Sequence, residues 1–211
     1  MMLKVSAALL GSVLVCALNP TTASARSRLP AETPSSVAIA EASPTLAPFQ
    51  HVRFCLHYPA DCKSDPTQAA LIELNDQTLE LMNRVNQDVN AAIAPVDKMN
   101  DGWAIAPAAG DCNDYAVTKR HELLQSGLPA RALRLAVVKT TSGIGHLVLV
   151  VASRTGYFVL DNLTGTIRPW QNTEYHWLKI QSSDDPQYWY GIKVSEPQLV
   201  LADRKLHVAG R

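Results

Sequence analysis

The sequence lacks an excess of either charge. Nineteen Lys and Arg face nineteen Asp and Glu, and the formal net charge is zero. Without a basic excess there is no electrostatic reason to expect nucleic acid or an anionic membrane surface as a partner. The sequence also lacks internal repeats, which excludes repeat architectures. It has no apolar run long enough to cross a bilayer. The longest, Val5 to Leu18, holds about fourteen residues where a spanning helix needs about twenty. Cysteine is scarce, with four in the chain.

That short run has another use. Lys4 precedes it, Asn19-Pro20 breaks it, and Ala23-Ser24-Ala25 follows as a small-x-small site. This is the layout of a signal peptide. Residues 1–25 are expected to be removed, giving a periplasmic or secreted protein with no membrane insertion afterwards. Cleavage takes away Lys4 and no acid, so the net charge moves from zero to about −1. Val15, ahead of Cys16, is too large for the usual lipoprotein site, so Cys16 leaves with the signal. Residues 26–49 are rich in Pro, Ala and Ser without a sustained period and read as a flexible segment. Residues 50–211 are of a size that builds one domain.

Cys55, Cys62 and Cys112 then remain, an odd number for an oxidising compartment. Cys55 and Cys62 lie close together in FCLHYPADC and are expected to pair. Cys112 is left over as a buried inert residue, an intermolecular link or a nucleophile.

Asp65-Pro66 reads as a helix start, followed by Leu71, Leu74, Leu81, Val85 and Val89 at helical spacing up to Pro95. Asp97 to Gly110 is a loop containing Trp103. Asp111 is an N-cap for a second helix, which ends at Gly127-Leu128-Pro129. The period then changes to two. Arg131–Val138, His146–Ala152 and Tyr157–Leu160 are strands, and the last part of the chain adds further ones, with Trp170, Trp177 and Trp189 as core or cleft wall. Helices followed by antiparallel strands make an α+β fold.

Cys112 falls in the first turn of the second helix. Unpaired N–H groups and the positive end of the dipole favour a thiolate there, and the same groups can hold an oxyanion. His146 heads the strand HLVLVVA after a flexible Gly-Ile-Gly; the other five histidines lie in polar or loop settings. Asp161 ends the apolar strand YFVLD, where a carboxylate needs a partner. If Arg154-Thr155 is a two-residue turn, Val148 faces Asp161, and His146 becomes its diagonal neighbour on one sheet face. Cys, His and Asp together could serve as nucleophile, base and orienting acid. Equally, they could be a core thiol, a strand end and a turn acid.

GDCNDYAVTKRHELLQSGLP, LRLAVV, GIGHLVLVV, GYFVLDNL and PWQNTEYHWLKIQ follow one another in order. With this series the chain resembles the bacterial transglutaminase-like cysteine proteinases from about Asp101 to Trp189. The resemblance implies a papain-like or transglutaminase-like core and a cysteine peptidase acting through a thioester acyl-enzyme. Cys112 matches the family nucleophile, His146 the base and Asp161 the orienting acid. Characterised members include periplasmic, calcium-dependent proteases that clip large surface adhesins, so the implied partner is a protein or peptide substrate, a surface protein among them. The chemistry itself requires no cofactor. The family commonly has an acid on both sides of the cysteine, whereas here Asn113 stands where Glu is usual. Calcium would relieve the conflict between the flanking carboxylates and a thiolate. Its expected ligands are Asp111, Asn113, Asp114 and Asp101, with the site weakened by Asn113. Asp111 and Asp114 also make sense as simple helix-start residues. Trp103 is a candidate for the cleft or oxyanion hole, as well as for the core. Transglutaminase or amidase acyl transfer by the same residues, and a non-catalytic binding scaffold, are the alternatives.

Overall fold

The alternating stretch from residue 133 to residue 160 organises the molecule. The computed structural model describes residues 38–98 and 102–193. In it, β4 (Leu133–Lys139), β5 (Gly145–Ser153) and β6 (Gly156–Leu160) form the middle of an antiparallel sheet. The pairs Leu149↔Leu160 and Ser153↔Gly156 leave Arg154-Thr155 as the two-residue turn that the hairpin expectation required. β7 (Arg168–Pro169) continues the sheet beyond β6. On the other side come β8 (His176–Gln181), β9 (Trp189–Lys193) and β1 (Ala40–Thr45), giving the order β1-β9-β8-β4-β5-β6-β7.

The central strands are apolar on both faces because both are covered. Leu135, Leu147, Leu149, Val151 and Leu160 join one core with Val85, Val89, Ala116 and Leu123 of the helices. Ala136, Val138, Val148, Val150 and Val159 join a second with Trp170, Trp177 and Ile180. Each fully buried large aliphatic side chain contributes about 1.5–3 kcal/mol. Trp189 is buried in the first core, so the three late tryptophans pack as expected.

Three α-helices lie among the described residues: α1 (Phe49–His57), α2 (Asp76–Ala92) and α3 (Cys112–Gln125). α3 packs on β5 and is buried through residues 114–120. It carries polar groups into the interior, where they are held: Thr118 Oγ1 accepts from Ala106 N at 2.9 Å, and Arg120 Nε donates to Leu133 O at 2.9 Å. A two-stranded parallel ladder, β2 (Ala94–Pro95) with β3 (Ala109–Gly110), brings the chain to the start of α3.

Three expectations change. The first helix does not begin at Asp65-Pro66. Asp65 Oδ1 instead accepts from Thr67 N at 2.8 Å and closes a local turn. Ile72 then runs beside β5, with its N–H to Ala152 O at 3.0 Å and its carbonyl accepting from Arg154 N at 3.1 Å. Backbone groups engaged there cannot enter a helix, so α2 begins at Asp76 with Asn75 Oδ1 accepting from Thr78 N at 2.9 Å. The segment read as flexible, 26–49, contains β1, which pairs with β9, and α1 follows directly at Phe49. Residues 1–37, including the expected signal and cleavage site, lie outside the described residues. His51, read as a polar-loop histidine, is buried on α1. Cys55 and Cys62 are joined, with their Cα atoms 5.5 Å apart, and link the last turn of α1 to a 3-10 turn over Pro59–Cys62.

Candidate active site

Cys112 is the first residue of α3, half-buried, and the free cysteine among the described residues. The helix start is held from both sides. Asp111 Oδ1 accepts from Asn113 N at 2.9 Å, and Asp114 Oδ2 accepts from Asp111 N at 2.9 Å, a reciprocal cap. The thiol therefore sits on a fixed turn at the positive end of a fourteen-residue helix.

His146 is the second residue of β5 and is buried. Its Nε2 lies 2.8 Å from Asp161 Oδ1, donating to the carboxylate and leaving Nδ1 for Cys112. Burial disfavours the charged ring. The Asp161 hydrogen bond and charge, together with Cys112, outweigh that and raise the imidazole from 6.5 to about 9. Asp161, just past the end of β6, is 2% exposed. Burial pushes its carboxyl up, but bonds from His146, Tyr175 and the Leu163 N–H hold it below the ordinary range. The structure thus brings together the three residues that the sequence singled out.

Four groups support Asp161. Tyr175 O–H donates to its Oδ2, and the Tyr175 ring stands 5.6 Å from the His146 ring. Leu163 N donates to Oδ1 at 3.0 Å. From α2, Asn86 Oδ1 accepts from Asp161 N at 3.2 Å and Asn90 Nδ2 donates to Asp161 O at 2.9 Å. Sequence reasoning missed Tyr175, Asn86 and Asn90. The available signal was two asparagines one turn apart on an otherwise amphipathic helix, Asn86 fully buried.

Three of the four expected calcium ligands, Asp111, Asn113 and Asp114, lie among the described residues, at the start of α3. Asp101 lies outside the described residues. Asp114 is fully buried, and its oxygens are taken by Lys98 Nζ at 2.9 Å, Ala104 N at 2.8 Å and Asp111 N. A sealed carboxylate needs donors on every side, and here the protein supplies them, with Lys98 as the neutralising cation. Asp111 and Asn113 stay half-buried and bonded to each other, Asn113 Nδ2 to Asp111 Oδ1 at 3.0 Å. One carboxylate and one amide are a thin donor set for an ion that takes six to eight oxygens. Trp103 is placed in the core, its ring 5.7 Å from His51 and 6.2 Å from Phe54.

A sequence model described as the bacterial transglutaminase-like cysteine proteinase family matches residues 41–197. No curated protein matches the chain. Among solved structures it is similar to Legionella pneumophila LapG in its calcium-bound form, at 18% identity and TM-score 0.48, covering 61% of this chain and 80% of that one. LapG from the same organism in an EGTA-treated form matches at 18% identity and TM-score 0.46, over 60% of this chain and 78% of that one.

Proposed function

Taking as premise that the chain belongs to the bacterial transglutaminase-like cysteine proteinases and is a cysteine peptidase, we propose that Cys112, His146 and Asp161 are its catalytic triad. The observation that carries this is the buried His146–Asp161 pair beside a free thiol at a helix start. An imidazole held charged up to about 9 sets a cation beside Cys112, the partner that a nucleophilic cysteine needs.

The Cys112 thiolate attacks the scissile carbonyl carbon. An S–C bond forms and the carbonyl electron pair moves to oxygen. Asp111 occupies the Asn113 N–H, so the Cys112 N–H is the helix-terminal donor for that oxyanion. As the intermediate collapses, the C–N bond breaks and His146 gives its proton to the leaving amine. A thioester remains. His146 then takes a proton from water, which attacks the thioester. The S–C bond breaks, the carboxylic product leaves and the thiolate–imidazolium pair returns. Asp161 orients the ring and balances its charge, while Tyr175 and the two α2 asparagines fix Asp161.

The substrate is a protein or peptide chain, cut internally, in the periplasm or outside the cell. The signal-like residues 1–25 and the disulfide support that compartment, and the mature protein from that fraction is expected to begin at Arg26. Calcium enters this reading as a weak ligand of Asp111 and Asn113 that would neutralise the carboxylate beside Cys112. A site with one carboxylate belongs at the weak end of calcium affinities, around 10⁻⁴–10⁻³ M.

The test is peptide hydrolysis by wild type and Cys112→Ala, with melting followed alongside. Cleavage is expected to vanish in the alanine variant while the thermal midpoint stays within a few degrees; residual cleavage would overturn the triad. Added primary amine separates hydrolysis from acyl transfer by the product formed. In the same assay calcium is expected to act only at millimolar levels, and a response at micromolar calcium would refute the thin donor set.

A further inference from the structure

Beside the triad the sheet ends in an uncovered row. Val138 is the Cα partner of His146 on one side and of Trp177 on the other, and all three are buried. One residue further out, Lys139 is the partner of Gly145 and of His176, and all three are exposed. Cα partners in an antiparallel pair stand about 4.5–5.5 Å apart, and Gly145 is bonded to His146. The Lys139 Cα therefore lies no more than about 9 Å from that of His146. An extended substrate advances about 3.3 Å per residue, so that span is three residues of substrate or fewer. Gly145 leaves room there, since a Cβ built on it meets nothing within 4 Å.

Residues that face each other across an antiparallel pair share a face of the sheet. Lys139 and His176 thus set an ammonium and an imidazole side by side. The ion pairs among the described residues involve neither of them. Two basic side chains placed opposite each other make no favourable cross-strand pair, so the sheet gains nothing from them. The acid they lack is one that a substrate can bring. Ile144, 66% exposed, stands at the same rim on a turn closed by Thr140 N to its carbonyl at 2.9 Å. Charge and apolar surface therefore lie together within reach of the reacting groups. We propose that Lys139 and His176 are specificity-determining residues that take an acidic side chain of the substrate within three residues of the scissile bond. This rests on the peptidase reading above and adds what its site selects.

The test maps cut sites in a mixed peptide library by mass spectrometry, for wild type, Lys139→Glu and His176→Ala. Wild type is expected to favour Asp and Glu at one position within three residues of the cut. On matched peptides with Asp or Asn at that position, kcat/KM should differ about fivefold, the upper end for an exposed ion pair. The ratio should shrink as salt is added. Lys139→Glu should turn the preference round, towards Lys and Arg at the same position, and His176→Ala should bring the ratio closer to one. Each ratio is taken within one enzyme, so the amount of folded protein does not move it. Wild-type cuts without an acidic preference, or a ratio unmoved in either variant, overturn the proposal. The same peptides are titrated against Cys112→Ala, a measurement that needs no turnover. The Asp form should again bind about fivefold more tightly, and equal affinities overturn the proposal. Should Cys112→Ala still cleave peptide, the triad reading fails while the acid preference is judged on its own ratio.

Discussion

Each member of the Cys112–His146–Asp161 group is held by a bond whose loss has a direction. His146 is raised above its ordinary value, so its charged pairing stabilises the fold fully below about 6.5 and is lost as pH rises through about 9. Asp161 is depressed, so its contribution is present above the ordinary carboxylate range and is lost as pH falls through its lowered value. kcat/KM of the wild type should therefore fall on the alkaline side near pH 9. Tyr175→Phe removes one of the donors that hold Asp161 down. A hydrogen bond to a charged group contributes about 1.5–3 kcal/mol, so kcat/KM should drop at least about tenfold. The acid-side loss should begin at a higher pH, with the alkaline limb still near 9. A Tyr175→Phe profile that is merely scaled down, with neither limb moved, would leave Tyr175 a packing residue. Nothing in the sequence around Tyr175 distinguished it, because its partner is fourteen positions away across a loop and its spacing follows no period.

At the scale of elements, the hairpin was legible and the helix start was not, for different reasons. The β5–β6 register follows from a turn of two residues and an alternation that only one pairing satisfies, so His146 and Asp161 could be placed on one face without coordinates. The onset of α2 depended on what Ile72 met far along the chain, at Ala152 and Arg154. β1 likewise exists because β9 lies beside it. Local signals cannot show such partners. The start of α3 lies between these cases. Asp111 was legible as the N-cap, but the burial of Asp114 was not, since it comes from Lys98 and Ala104 in the preceding loop. Gly110 completes that arrangement: a Cβ there would come within 2.5 Å of Asp114 Oδ2 and 2.7 Å of its Cβ. Asp114 is held by three donors and cannot swing away. Gly110→Ala is therefore expected to cost about 1–3 kcal/mol. In a thermal melt that is a fall of roughly 3–10 °C, with a loss of activity because the Cys112 turn shifts. An unchanged melting midpoint would mean that the cap has room to spare.

Across the whole molecule, the disulfide and the triad are separate investments of structure. The triad depends on α2, α3 and the central strands. The disulfide fastens α1, which also carries Phe49, Val52 and Leu56 outward. α1 has a second attachment that does not involve sulfur. Trp189 Nε1 donates to His51 Nδ1 at 3.4 Å, and Gln181 Nε2 lies 3.0 Å from His51 Nε2. Burial, with Arg120 nearby, lowers His51 to about 4, so its ring stays neutral and its Nδ1 can accept from Trp189. His51, Cys55 and Cys62 lie close enough together to suggest a metal group, but the disulfide occupies both sulfurs. Closing a loop with a sequence separation of 7 stabilises by about 2–3 kcal/mol through the unfolded chain. A Cys55→Ala, Cys62→Ala double variant should therefore melt several degrees lower. At 25 °C it should keep kcat/KM within about twofold of wild type, since His51 still ties α1 to β8 and β9 and no group of the triad touches the sulfurs. Activity lost well beyond the unfolded fraction, measured by melting and peptide hydrolysis on the same sample, would show that α1 reaches the catalytic turn, with Trp103 and Ala104 on a packed route between them.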